Sequence, residues 1–220
     1  MNTQFTDRRA AGRLLAGKLT KYRNHPHMLV LALPRGGVPV GVEVAEYLQV
    51  PLGLFVVRKL GLPGHEEYAM GAVASGGIRV LNVEVIRQLR IPDAMIEAVT
   101  EREFAELHRR EQVYGADRPA PDAAGRIVIL VDDGMATGSS MEAAVAALRQ
   151  SAPAKIVVAV PVISPETLVR FGSIADEVVA VLTPDPFSSV GEWYEHFPQL
   201  SDEDVRALLA QAQPLAPTTP

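Results

Sequence analysis

Residues 126–140, RIVILVDDGMATGSS, constrain this chain more than any other stretch. The β-branched run 127–131 predicts a strand buried on both faces. It closes on two adjacent carboxylates, Asp132 and Asp133, followed by the small residues 134–138 and two hydroxyls, Ser139 and Ser140. Met141, Ala144, Val145 and Leu148 then mark the apolar face of a helix. A strand, a tight loop and a helix start together expose backbone N–H groups, to which the helix adds about half a positive charge, a setting suited to phosphate. Carboxylates repel phosphate, so the two acids should face sugar hydroxyls or a metal. The residues therefore point to a phosphorylated sugar. A plain junction capped by Thr137 or Ser139 accounts for one hydroxyl and leaves the acids unexplained. No lysine stands where a P-loop needs one. Neighbouring acids point to opposite sides of a strand, unlike the alternate carboxylates of aspartate-nucleophile phosphatases.

The stretch resembles the ribose-phosphate motif of type I phosphoribosyltransferases, in which a hydrophobic strand, two acids and a small-residue loop end in T-G-x-S/T. The resemblance implies an α/β fold with a mainly parallel central sheet flanked by helices, a flexible lid loop and a small hood. It also implies a single domain over 1–220 with its core at about 26–185, a helical insertion at 83–125, a base-side segment at 186–213 and a frayed tail at 214–220. Composition agrees with one such domain: 220 residues, 48% hydrophobic, bury a substantial core. A net charge of −5 argues against a broad grip on nucleic acid. The absence of cysteine excludes disulfides and thiolate chemistry. The amino-terminal residues MNTQFTDRRAAGR lack a signal-peptide core, and the apolar runs are too short for membrane spans. A soluble, cytoplasmic protein is expected.

Taken in order, residues 7–23 predict a helix and 28–33 a buried strand ending in Pro34-Arg35-Gly36-Gly37, with Pro39 in the first turn of a helix reaching Leu48. A guanidinium beside a glycine turn can receive a diphosphate, and in the family the loop after the first core strand often reads R-G-G and grips pyrophosphate. Residues 52–57 predict a second buried strand with Arg58 and Lys59 at its end, similar to the Arg-Lys pair of orotate phosphoribosyltransferases. The glycine- and proline-rich segment after it fits a water-excluding lid. The second lysine of the orotate enzymes is missing from 60–64. His65, Glu66 and Glu67 read as solvated loop residues, and Tyr68 as either a substrate contact or a lid anchor. Residues 69–73 and 78–81 suggest a hairpin beneath the lid.

Residues 84–89 read as a short helix and 92–114 as a long one, with Ile96, Val99, Phe104 and Leu107 as its stripe and its mixed charges, Glu103 among them, as a solvated face. A hood or a homodimer contact are its two readings. Residues 115–125 form a linker. Strands at 155–162 and 177–182 with a helix at 165–171 complete an alternating pattern, which places ligands at the strands' carboxyl ends. The last strand runs into TPDPFSSVGEWYEHF, which resembles the base-binding segment of hypoxanthine-guanine phosphoribosyltransferases. Phe187 would stack on a base there, or join Trp193, Tyr194 and Phe197 in a satellite core under a final helix at 202–212.

By resemblance, a base displaces pyrophosphate from 5-phosphoribosyl 1-diphosphate, with Mg²⁺ held mainly by substrate oxygens rather than directly by the protein. Arg35, Gly36, Gly37, Arg58 and Lys59 would bind pyrophosphate. Asp132 and Asp133 would take the ribose hydroxyls, and Gly134, Met135, Ala136, Thr137, Gly138, Ser139 and Ser140 would complete the ribose-5-phosphate site. Arg35, Lys59, Asp132 and Asp133 are the catalytic candidates. The hypoxanthine-guanine enzymes carry a third acid where Ala136 stands, and a purine-contacting lysine where this strand has only Val160, Pro161 and Val162. The acceptor base stays open. A module that senses 5-phosphoribosyl diphosphate or a nucleotide without catalysis is the alternative; the Arg35 turn and Lys59 favour the enzyme.

Overall fold

The computed structural model describes residues 4–114 and 122–211, and at 66–68 the backbone alone. Helices α1 (Arg8–Lys18) and α2 (Gly37–Leu48) alternate with strands β1 (Met28–Ala32) and β2 (Leu52–Leu54). Three strands follow, β3 (Val57–Leu62), β4 (His65–Ala74) and β5 (Ile78–Leu81), then helices α3 (Val83–Leu89) and α4 (Asp93–Val113). The remainder is β6 (Ile127–Val131), α5 (Ser139–Arg149), β7 (Lys155–Val162), α6 (Pro165–Phe171), β8 (Glu177–Leu182) and α7 (Asp202–Gln211).

The main sheet has five strands in the order β2-β1-β6-β7-β8, and every pairing is parallel. Its three inner strands, β1, β6 and β7, are buried because alternate side chains serve two cores, while the edge strands β2 and β8 are half-buried. Leu29, Leu31, Val128, Leu130, Ile156 and Val158 pack with Met141, Val145 and Leu148 of α5 and Phe171 of α6. Met28, Val30, Ile129, Val131, Val157 and Ala159 face Leu15 and Leu19 of α1 and Val40, Val44 and Leu48 of α2. The connection from β1 leads outward to β2, while the one from β6 leads the other way to β7. A crevice therefore opens between the carboxyl ends of β1 and β6, where the strand order reverses.

The expected second buried strand at 52–57 is shorter than its sequence suggests. Only Leu52–Leu54 pair with β1. Phe55 and Val56 are buried at a crossing, and β3 then joins a separate antiparallel sheet in the order β3-β4-β5. Arg58 and Lys59 thus lie within that second sheet rather than at the end of a core strand. The segment expected as a lid loop is paired instead, with a turn at Pro63 and Gly64 between β3 and β4. Leu60, Met70 and Val73 seat this sheet on Ile96, Val99 and Leu107 of α4 and Val205 of α7.

Two further expectations need correction. Glu103 is not part of a solvated face: it is buried and accepts Arg58 Nε at 2.6 Å and Arg102 Nε at 3.1 Å. The carboxy-terminal aromatics pack under the chain's beginning instead of under α7. Tyr194, Phe187, Trp193 and Phe197 gather with Phe5 and Ala11, and Phe5 is stitched in by N–H donation to the Trp193 carbonyl at 2.8 Å. The expected linker overlaps 115–121 and the expected tail lies in 212–220, and these, like the Tyr68 side chain, fall outside the described residues.

Candidate active site

The two loops flanking the crevice touch each other. Leu33 N–H, at the end of β1, donates to the Val131 carbonyl at 2.9 Å. A Cβ on Gly36 would stand 2.0 Å from Asp133 Oδ2, and one on Gly37 would stand 2.6 Å from the Val131 oxygen. The paired glycines of the Pro34–Gly37 turn are therefore required for the turn to lie against the acids. The Pro34–Arg35 peptide is cis.

Beyond the acids, the chain is propped from below by α6. Met135 bridges to Ile163, Ser164 Oγ and Thr167 Oγ1 both donate to the Ala136 carbonyl, and Arg170 donates to the Thr137 carbonyl. Gly138 then starts α5 with φ of 65°, and a Cβ there would meet the Phe171 ring at 2.7 Å. Neither Thr137 nor Ser139 caps the helix; no side chain does. The first N–H groups of α5 consequently keep their free donors and the positive end of the helix dipole.

Lys59, Asp132, Gly134, Thr137, Gly138, Ser139 and Ser140 surround one cavity of about 220 Å³. A larger one of about 590 Å³ continues from Lys59 and Ser139 between the β4–β5 arm and α5. The cavity thus has a cation on one wall, uncapped N–H groups on another and a carboxyl between them. Burial, reinforced by the neighbouring Asp133 charge, pushes the Asp132 carboxyl well above the ordinary carboxylate range. Burial lifts Asp133 too, but Arg8 opposes it with an Nε–Oδ2 contact of 2.8 Å.

This arrangement coincides with a family signature over most of the chain: the sequence model of the phosphoribosyl transferase domain matches residues 1–180. The chain belongs to the phosphoribosyl transferase domain family. Proteins from two Mycobacterium tuberculosis strains, provisionally named phosphoribosyl transferases, are 44% identical over 208 residues, or 94% of this chain and 47% of theirs. The chain thus spans about half the length of the curated relatives it matches. A crystal structure of TT1426 from Thermus thermophilus superposes with a TM-score of 0.85 at 44% identity, covering 95% of this chain and 99% of that one.

Within this phosphoribosyl transferase domain, the expected site residues are only partly brought together. Lys59, Asp132 and residues 134–140 line one cavity. Arg58 and Lys59, as strand neighbours, point to opposite faces, and Arg58 is engaged by Glu103. Arg35 is turned toward the carboxy-terminal segment, donating to Asp202 Oδ1 at 2.9 Å and to the Leu200 carbonyl at 3.2 Å. Phe187 stacks on Trp193 with centroids 6.4 Å apart. Sequence reasoning missed Arg8 and Tyr194, whose hydroxyl donates to the Asp133 carbonyl at 2.5 Å. It also missed the α6 props, Ser164, Thr167 and Arg170.

Proposed function

We propose that this domain transfers 5-phosphoribose from 5-phosphoribosyl 1-diphosphate to a nitrogenous base and releases pyrophosphate. The observation that carries the reading is the single cavity joining Lys59, Asp132 and the uncapped start of α5. Those groups match the three parts of the donor: diphosphate, ribose hydroxyls and 5-phosphate. The 5-phosphate would sit on the N–H groups of 138–140, where the helix dipole favours an anion. Asp132 would accept a ribose hydroxyl, and Lys59 would neutralise charge on the departing diphosphate.

In the reaction, a ring nitrogen of the base attacks C1 as the bond from C1 to the diphosphate oxygen breaks. Pyrophosphate leaves with that electron pair, and the nitrogen's proton passes to a base. Positioning and exclusion of water carry most of the rate. Bound Mg²⁺ would supply charge neutralisation to the diphosphate. Asp132 is the one carboxylate lining the cavity, and among the described residues no three acids or histidines converge into a metal cage. That donor set suits an ion that keeps its water and substrate oxygens.

Arg35 has a low-energy route into the site. Its ion pair with Asp202 is exposed, and such pairs contribute about 0–1 kcal/mol, so a bound diphosphate can take the guanidinium over. The test is incubation with Mg²⁺, 5-phosphoribosyl diphosphate and pooled bases, with pyrophosphate assayed alongside calorimetric binding of the donor. Base-dependent release is the expected result. Binding without release from any base would leave a sensor on the same fold, and absence of binding would remove the site assignment altogether.

A further inference from the structure

Three successive carbonyls of the loop after β6 turn to α6. Met135 accepts the Ser164 N–H at 3.0 Å, Ala136 accepts the hydroxyls of Ser164 and Thr167, and Thr137 accepts the Arg170 guanidinium. Ser164, Thr167 and Arg170 stand three residues apart and so share one side of the helix start, in the order of the carbonyls they meet. The support is itself firm. Ser164 caps α6 by accepting the Thr167 N–H at 3.2 Å, Thr167 is 4% exposed, and Phe171 at the far end is fully buried. Two hydroxyls fill both lone pairs of the Ala136 oxygen, so turning that peptide over would break two hydrogen bonds at once.

The peptides of this loop are trans, and in a trans peptide the N–H opposes the C=O. The N–H groups of Ala136, Thr137 and Gly138 therefore point away from α6. The cavity lies on that side: Lys59, Asp132 and residues 134–141 line it, and no residue of α6 does. Among the described residues, none of these three N–H groups donates within the protein. We infer that Thr167 and Arg170 are positioning residues for phosphate, holding the Ala136 and Thr137 carbonyls back so that the Thr137 and Gly138 N–H groups face the 5-phosphate. The inference rests on the sugar-phosphate reading of the cavity, and it extends the phosphate's donors from the start of α5 into the loop before it. Successive N–H groups aimed at one point form a nest for an anion. The same peptides turned over would set carbonyl oxygens, with their partial negative charge, against the phosphate. Thr167 and Arg170 thus act on the ligand without touching it.

The experiment titrates ribose 5-phosphate into the wild type and three variants by calorimetry and follows the backbone amides by NMR. Thr167→Val keeps the side-chain shape and removes the hydroxyl, whereas Thr167→Ser keeps the hydroxyl. Thr167→Val is expected to bind about 3- to 10-fold more weakly, the cost of one lost hydrogen bond, and Thr167→Ser to stay within about twofold of the wild type. Arg170→Met should lose about tenfold, because its bond is charge-assisted. In the wild type, the amide protons of Thr137 and Gly138 should move downfield on saturation, and in Thr167→Val the Thr137 shift should shrink. Wild-type affinity in Thr167→Val, equal weakening in Thr167→Val and Thr167→Ser, or unmoved Thr137 and Gly138 amides in the saturated wild type overturns the inference. Should Thr167→Val fail to fold, unaltered affinity in Arg170→Met, at a half-exposed position, overturns it alone. A wild type that binds no ribose 5-phosphate fails separately, since it removes the sugar-phosphate reading before α6 is tested.

Discussion

The amino and carboxyl ends of the five-stranded sheet treat charge in opposite ways. At the amino end, Glu177 opens β8 and accepts Tyr22 Oη at 2.7 Å and Lys155 Nζ at 2.8 Å, with Lys21 Nζ also at 2.8 Å. Burial pulls its pKa up, but the bonds from Lys155, Lys21 and Tyr22 win and hold it at about 2. At the carboxyl end, Asp133 pairs with Arg8, and its neighbour Asp132 makes no ion pair among the described residues. One end is satisfied and the other is left wanting a partner. A group kept short of partners costs stability and gains from a ligand, which is how binding sites differ from structural networks.

The signs of the two pH effects follow. Glu177, with a depressed folded pKa, contributes stability that is fully present above its ordinary value of 4.5 and lost as pH falls through about 2. Asp132, with a raised folded pKa, favours the fold below its ordinary value of 3.8, and that contribution is lost as pH rises through the raised value. At neutral pH the amino end stabilises the protein while Asp132 works against it.

The sharpest way to break this contrast is Asp132→Asn/Asp133→Asn. It should lower ribose 5-phosphate affinity at least about 100-fold, from the loss of charge-assisted bonds, as read by calorimetry with circular dichroism confirming the fold. Unchanged affinity would dissolve the distinction between the two ends. Asp132→Asn alone should raise the neutral-pH melting temperature by about 2–4 °C for each kcal/mol of relieved cost. Next in size is Gly36→Ala, whose added methyl collides with Asp133; overpacking of this kind costs about 1–3 kcal/mol, and sugar-phosphate binding should fall with it in denaturant and calorimetric measurements. Glu177→Gln should remove about 1–2 kcal/mol at neutral pH and flatten the acid limb of the stability curve. It should leave ligand affinity alone, and a change in affinity would mean the two ends are coupled. The smallest effect is expected from Asp202→Asn. Stability should move by less than about 1 kcal/mol, while pyrophosphate binding tightens two- to threefold (~0.5 kcal/mol) as Arg35 is released.

What was legible in the sequence was local. The β6–loop–α5 junction lies within fifteen consecutive residues, and the apolar runs of β1, β6 and β7 announce strands buried on both faces. Lys59 lines the cavity, but the sequence placed it at the end of a core strand. The apolar run 52–57 hides a change of sheet between Leu54 and Val57, because buried crossings and buried strands share a composition. Once β3 is seen as a strand, alternation separates Arg58 from Lys59 at once. Glu103 hid among ordinary helix charges, since its burial depends on Arg58 reaching it from another element. Arg8 carried no signal at all: in RRAAGR it is one basic residue among three, and its partner lies 125 positions away.

That distance has a consequence for how the molecule is made. Arg8 is anchored by the carbonyl of Pro198, a separation of 190 residues. During translation the amino-terminal strands and helices emerge first and can begin to pair. The guanidinium that seats Asp133 waits for Tyr194, Phe197 and Pro198, nearly the last described part of the chain to leave the ribosome. A nascent domain can therefore own a finished sheet while the contacts that seat Asp133 are still missing, and the loop after β6 is buttressed only once the segment around Pro198 has emerged.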